Sequence, residues 1–300
     1  MAGLDKQMLQ VIEHLAKNEI QAAKNEALKC CELDTTKKNE VQLRYYKKLL
    51  ENGNTSFVEL PSNLEGILKK VDVSGFQEDK YYLGEKENEI LQQIQKNQKV
   101  YSKMLTYGVH MNNSVLLYGE PGTGKTEFAK YVAYKMGVPY IYLNFANTID
   151  SFMGQTAKNI ERVFDYCKGQ KCVLMLDEID CIGMLRGGKG VDGELSRITI
   201  TLMQCLDAMV DGQIVIGATN RKDMIDGALL RRFHKIYEIA RYSQEEQKKM
   251  IEKWLISLDY NDFKKTVNID DLASKEMTQN EVISTLKDEL CEHLIQHEMA

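Results

Sequence analysis

The stretch LLYGEPGTGKT, residues 116–126, constrains this chain more than any other. An apolar strand tip runs into a loop carrying Gly119, Gly122 and Gly124, and then into Lys125 and Thr126. The glycines let the backbone fold tightly and turn its N–H groups inward. Those donors, with the N-terminus of the helix that follows, form a cradle for a polyphosphate. Lys125 adds a point charge toward the outer phosphates, and Thr126 offers a hydroxyl to a magnesium ion. Pro121 and Thr123 complete the loop. The pattern is G-x-x-x-x-G-K-[ST] between a strand and a helix, the context this motif requires.

A loop of this kind needs a sheet to carry it, and the rest of the chain supplies one. Short apolar runs at 114–118, 140–145, 172–176, 213–218 and 235–239 read as strands. Helical patterns lie between them at 124–136, 156–168 and 193–209, and another precedes them at 85–106. Continuous apolar strands alternating with amphipathic helices predict an α/β fold, a parallel sheet of about five strands covered on both faces. Residues 241–300 are mostly helical and lack a further strand, which reads as a small helical C-terminal domain. Residues 1–75 show helical periodicity, with Leu4, Met8, Ile12, Leu15, Ala23 and Ala27 near one stripe. That region is either a helical cap or a partner-docking module. The expected domains are therefore 1–75, 76–240 and 241–300.

A nucleotide site needs a second half, an apolar strand ending in an acid. CVLMLDEID, residues 172–180, provides it. Asp177 stands at the strand end, where it can hold the metal through water. Glu178 follows, placed to orient and deprotonate an attacking water. That adjacent glutamate speaks for hydrolysis rather than binding alone. A third strand, QIVIGATN, ends in Asn220, whose amide can position the water or touch the γ-phosphate. NRKD at 220–223 imitates the guanine-reading N-K-x-D pattern, but its lysine falls one place late, which argues against a GTPase.

Composition narrows the partners. Lys and Arg total 39 against 44 Asp and Glu, a net charge of −5, which argues against a protein built to hold nucleic-acid phosphates. The first residues hold no signal-peptide pattern, and the apolar runs are too short to span a bilayer. Seven irregularly placed cysteines argue against a disulfide framework and for a reducing cytoplasm. His293 and His297 sit four apart without an H-E-x-x-H motif, so an exposed pair is expected rather than a metal site.

Together the three strand tips resemble the AAA+ ATPases, and in detail the AAA family proper, over residues 76–290. GEPGTGKT is similar to the family's Walker A, VLMLDEID to its Walker B, and Asn220 to its sensor 1. DGALLRRFHKIYEI, residues 226–239, resembles the segment that marks the family. There Arg231 and Arg232 fall at the arginine-finger positions, side by side as in the microtubule-severing branch. The resemblance implies ATP and Mg²⁺ as cofactors and a ring, expected to be hexameric, in which these arginines reach a neighbour's γ-phosphate. SFMGQTAKNIERVFDYC, residues 151–167, resembles the pore-loop segment. In that reading Phe152 and Met153 grip a polypeptide and Gly154 permits the turn. The glycine-rich stretch 186–194 faces the same pore, or is a surface loop. Thr278, Gln279 and Asn280 fall where the family begins its adenine-side helix, without the usual Gly-Ser.

The resemblance implies an ATP-driven protein remodeller or unfoldase. The layout is similar to bacterial stand-alone AAA ATPases found beside subtilisin-like proteases, which makes a separate protease a candidate partner. Two alternatives stand beside it: a nucleic-acid motor or loader, and a switch in which ATP binding controls assembly.

Overall fold

The computed structural model describes residues 6–16, 20–33, 39, 43, 46–47, 50, 60–61, 64–109, 112–151, 154–168, 171–184, 192–209 and 213–298. The chain divides into two compact units, Met1–Pro61 with Asp72–Gly75, and Ser62–Val71 with Phe76–Ala300. In the first, α1 (Lys6–Ala16) packs on α2 (Ile20–Leu33).

The second unit is built on a six-stranded sheet. Its elements run β1 (Lys69–Val71), α3 (Glu85–Thr106), β2 (Asn113–Tyr118), α4 (Lys125–Met136), β3 (Tyr140–Asn144), α5 (Phe145–Ser151), α6 (Thr156–Lys168), β4 (Cys172–Asp177), α7 (Cys181–Met184), α8 (Asp192–Asp207), β5 (Gln213–Thr219), α9 (Gly227–Leu230) and β6 (Lys235–Glu238). The strand order is β1-β3-β4-β5-β2-β6. The strands β2 to β6 are mutually parallel, and β1 alone pairs antiparallel, with β3. The five expected strands are present. The sixth, β1, is three residues long, and its Lys69 and Lys70 put charge on the sheet edge, which discourages further pairing.

The central strands explain the parallel arrangement. β5 is buried at every position, and β2 and β4 at all but the last. Strands apolar on both sides must be covered on both faces. α6 turns Ile160, Val163, Phe164 and Cys167 inward at helical spacing, and α4 turns Phe128, Ala129, Val132 and Ala133 inward. Each fully buried Leu, Ile or Phe in this core contributes about 1.5–3 kcal/mol relative to exposure.

Beyond β6 come four helices, α10 (Gln244–Ser257), α11 (Asn261–Thr266), α12 (Ile269–Ser274) and α13 (Gln279–Glu298). They enclose their own core of Trp254, Leu255, Phe263, Leu272, Val282 and Leu286. Ser243 and Glu246 form a reciprocal capping box that fixes where α10 begins. His293 of α13 packs against Tyr260, Phe263 and His297, in ring contact with each.

Candidate active site

The phosphate loop leaves β2 at Gly119 and enters α4 at Lys125. Gly122 and Gly124 hold φ of +84° and +85°, in the left-handed region where a side chain is strained, so glycine is required at both. The Thr123 hydroxyl donates to the Glu120 carbonyl at 2.9 Å and closes the turn, with Pro121 exposed on its outer side. Lys125 is buried, and its Nζ donates to the carbonyls of Gly119 at 2.9 Å and Glu120 at 2.7 Å. Burial lowers its pKa, and the carboxylates of Asp177 and Asp180 oppose that shift.

Across from the loop, Asp177 ends β4. Its Oδ2 accepts from the Thr126 hydroxyl at 2.9 Å and from the Tyr142 hydroxyl at 3.2 Å. Its Oδ1 accepts from the backbone N–H of Glu178 at 3.0 Å. Glu178 holds φ of +57°, the one described non-glycine residue with positive φ, a strain of the kind found at functional sites. Its Oε2 accepts from Asn144 Nδ2 at 2.9 Å, and that same nitrogen lies 3.3 Å from the Tyr142 hydroxyl. One hydrogen-bond chain therefore runs from Thr126 through Asp177, Tyr142 and Asn144 to Glu178. Desolvation is the main cause of a raised Tyr142 pKa, which keeps the hydroxyl protonated as a donor.

Asn220 is exposed just beyond β5, the strand between β4 and β2. Its neighbour Thr219 anchors that tip by donating to Asp180 at 2.8 Å and accepting from the Arg221 N–H at 2.9 Å. Arg221 in turn grips Asp223 through two bonds of 3.1 and 3.0 Å, so the guanine-motif look-alike is a local ion pair.

Arg231 and Arg232 follow α9. Arg231 is exposed, whereas Arg232 donates to the Ala228 carbonyl at 3.1 Å and pairs with Asp207 at 3.4 Å. The Arg232 carbonyl accepts from the Ser114 hydroxyl at 3.3 Å, which locates the pair at the start of β2. Ser114 precedes Gly119 by five residues, about 17 Å along an extended strand. The arginines thus lie at the opposite end of the sheet from their own phosphate loop. Phe152 and Met153 lie outside the described residues, as does 186–191; Gly154 holds φ of +87°.

The C-terminal helices meet the loop at one place. The Asn280 N–H donates to the Gly122 carbonyl at 3.0 Å, and Arg241 joins Glu120 at 2.7 Å to the Glu276 carbonyl at 2.8 Å. Thr278 and Glu281 cap α13 reciprocally, with bonds of 2.7 and 2.9 Å to the Glu281 carboxylate. Tyr242 donates to the buried Glu87 at 2.8 Å, and burial raises the Glu87 pKa. Among the described residues no group of three or more His, Cys, Asp or Glu side chains comes together to hold a metal.

Comparison with known proteins agrees with this geometry. The profile of the ATPase family associated with various cellular activities (AAA) matches residues 115–241. The ATP-dependent zinc metalloprotease FtsH 1 of Alkaliphilus metalliredigens (strain QYMF) is 36% identical over 213 residues, which is 68% of this chain and 34% of that protein. Residues 115–241 form an AAA ATPase domain. The peroxisomal ATPase PEX6 of Saccharomyces cerevisiae is 38% identical over 143 residues, 45% of this chain and 14% of that protein. A second FtsH 1, from Thermoanaerobacter sp. (strain X514), is 39% identical over 166 residues, 53% of this chain and 26% of that protein. The chain spans a third or less of the length of the second and third of these relatives, and 34% of the first.

In this AAA domain the structure brings Lys125, Thr126, Asp177 and Glu178 around one loop, with Asn220 at the adjoining strand tip. Sequence reasoning missed Asn144 and Tyr142. The signal was the strand pairing, since the register sets Asn144 opposite Asp177 and Tyr142 two residues before it. A strand ending in Tyr-Leu-Asn next to one ending in an acid places polar atoms at the carboxyl edge of the sheet, where open α/β folds bind ligands.

Proposed function

We propose that this chain is an ATP-driven remodeller of proteins that works as an assembly of several copies. The observation that carries the assembly is the position of the arginines. Arg231 and Arg232 are about 17 Å from their own phosphate loop along β2, beyond the reach of one arginine side chain. A neighbouring copy brings them to the γ-phosphate, where a guanidinium neutralises developing charge and raises the rate by roughly three to five orders of magnitude. Protein as the substrate is supported by the metalloprotease relatives, whose name pairs ATP dependence with proteolysis. The near-neutral charge balance also favours a polypeptide over nucleic acid. Phe152, Met153 and Gly154 are the residues proposed to grip that polypeptide.

The loop amides bind the triphosphate, and the Lys125 ammonium turns from carbonyls to phosphate oxygens. The hard-oxygen pair of Thr126 hydroxyl and Asp177 carboxylate, 2.9 Å apart, fits a magnesium ion, and these two residues would hold it. The chemistry such an ion would supply is neutralisation of phosphate charge. Glu178 accepts the proton of the attacking water, and Asn144 fixes the direction its carboxylate faces. Asn220 orients the water from the neighbouring tip. We place this activity in the cytoplasm, with a separate protease as a candidate recipient of unfolded chains.

The test measures ATP turnover with an unfolded protein or with DNA added, and mass by light scattering with and without ATP, on the wild type and Glu178→Gln. Stimulation by unfolded protein and ATP-dependent assembly, retained by Glu178→Gln without turnover, are expected. A monomer in every condition refutes the arginine assignment. Stimulation by DNA alone favours a nucleic-acid motor, and assembly without turnover in the wild type favours a switch.

A further inference from the structure

The stretch DEID, residues 177–180, carries three acids, and the ATP chemistry employs the first two, Asp177 and Glu178. The third, Asp180, is buried, and so is Thr219 at the end of β5. The Thr219 hydroxyl donates to Asp180 Oδ1 at 2.8 Å and accepts from the Arg221 N–H at 2.9 Å. A carboxylate only accepts and an N–H only donates, so the two partners fix the direction of the hydroxyl. The bond from Arg221 closes a tight turn of the kind hydroxyl residues make, and Asn220 is the residue inside it. Asn220 is exposed, so its aim is set by the turn that carries it rather than by packing.

Asp180 stands on the same turn as Glu178. The Cys181 N–H donates to the Glu178 carbonyl and the Ile182 N–H to the Ile179 carbonyl, both at 3.1 Å, so the two acids ride together on one turn beyond β4. That turn lies directly on β5. The Ile179 N–H donates to the Ala218 carbonyl at 3.1 Å, and a Cβ on Gly217 would fall 2.6 Å from Ile179 Cδ1. The bond from Thr219 to Asp180 is the next link along the same seam. It is a buried side-chain tie between the turn that holds Glu178 and the turn that holds Asn220. The separation between the proton acceptor and the amide that orients the water is thus set by a bond that neither of them makes.

We infer that Asp180 is a positioning residue for ATP hydrolysis: by holding Thr219 it fixes the Asn220 amide against Glu178, so that both address one water. This rests on the reading of the loop as an ATP site in which Asn220 orients the water. The experiment measures kcat and KM for ATP on the full chain, for the wild type, Thr219→Val, Thr219→Ser, Asp180→Asn, Asp180→Leu, and Asn220→Ala alone and combined with Thr219→Val. Thr219→Val keeps the shape and loses the hydroxyl. Its kcat falls by about ten- to a hundredfold, the scale of one buried charge-assisted hydrogen bond, while KM stays within about twofold. Thr219→Ser recovers most of the lost rate. Asp180→Asn keeps an acceptor oxygen and most of the rate, whereas Asp180→Leu falls as Thr219→Val does. In the Asn220→Ala background Thr219→Val lowers kcat no further, a result that a merely structural role does not produce. An equal loss with and without Asn220 overturns the inference, and so does a KM that rises as far as kcat falls. Asp180→Asn as slow as Asp180→Leu also overturns it, assigning the carboxylate to the charge it presents to Lys125. If Thr219→Val does not fold, the two Asp180 variants decide. A wild type that neither binds nor hydrolyses ATP refutes the ATP site itself, whereas a wild-type rate in Thr219→Val refutes the positioning role alone.

Discussion

Gly122 and Gly124 are nearly matched in backbone conformation and differ in surroundings, which makes them an internal control. Both hold a left-handed φ, +84° and +85°, so an alanine at either costs about 1–2 kcal/mol in backbone strain. A Cβ at Gly124 meets nothing within 4 Å. A Cβ at Gly122 falls 2.8 Å from the Thr278 hydroxyl and 3.3 Å from Thr278 Cβ. Thr278 cannot turn aside without giving up the cap of α13, worth about 0.5–2 kcal/mol. If α13 backs away instead, the bond from Asn280 to the Gly122 carbonyl breaks, at about 0.5–1.5 kcal/mol. Gly122→Ala should therefore be less stable than Gly124→Ala by about 1–2 kcal/mol, the sum of partial losses of this kind. In a chain of this size that separates the two melting temperatures by roughly 2–8 °C. Thermal unfolding of both variants without nucleotide, followed by circular dichroism, reads the difference. Equal melting temperatures, or a less stable Gly124→Ala, would refute the claim that α13 presses on the loop.

Other expectations follow from the same geometry. Arg231→Ala should lower turnover by about a thousandfold or more without shifting the melting temperature, and mixing it with Lys125→Ala should restore activity if the finger acts between copies. Arg232→Ala, which loses contacts to Asp207 and Ala228, should also lower the melting temperature, so an Arg231→Ala that destabilises as much reverses the two roles. Glu87→Gln should raise stability at neutral pH. Burial puts the folded-state pKa of Glu87 above its unfolded value, so the stability this group contributes is present below the unfolded pKa and is lost as pH rises through the folded pKa. The advantage of the amide should accordingly shrink as pH falls toward the ordinary carboxylate range, and an advantage constant with pH would show that Glu87 is not the titrating group. Asn144→Ala frees the Glu178 carboxylate and should change turnover by about three- to tenfold with little effect on nucleotide affinity, the scale of one partly exposed charge-assisted bond. An affinity change as large as the turnover change would assign Asn144 to binding.

The parts of this site that could be read in the sequence are those whose chemistry is local. The phosphate loop is contiguous, and its glycines, lysine and threonine declare themselves by spacing alone. The strand ending in Asp177 and Glu178 is equally legible, because a buried apolar run that stops at two acids has few other uses. What stayed hidden depends on pairing between distant segments. Asn144 matters only because β3 lies beside β4 in a register that sets it opposite Asp177, and no spacing along the chain reveals that. Tyr142 read as another apolar strand residue, although its hydroxyl belongs to the carboxylate network. β1 was missed for a different reason: two lysines and a valine carry no strand pattern, and the segment is a strand only because β3 offers an edge. α5 was hidden by its start, since Phe145 continues the apolar run of β3 although the backbone already turns helical there.

The contact between Asn280 and Gly122 lies at the very start of a helix of 20 residues, about 30 Å long. Held at that end by the loop that takes the phosphates, and packed into the C-terminal core through Val282 and Leu286, α13 can tilt only together with that core. A tilt of about ten degrees at that pivot, no more than the repositioning of two backbone groups, carries the far tip near His297 through about 5 Å over that length. Loss of a single phosphate at the fulcrum would thus be felt as a movement wider than an atom at the far end of α13.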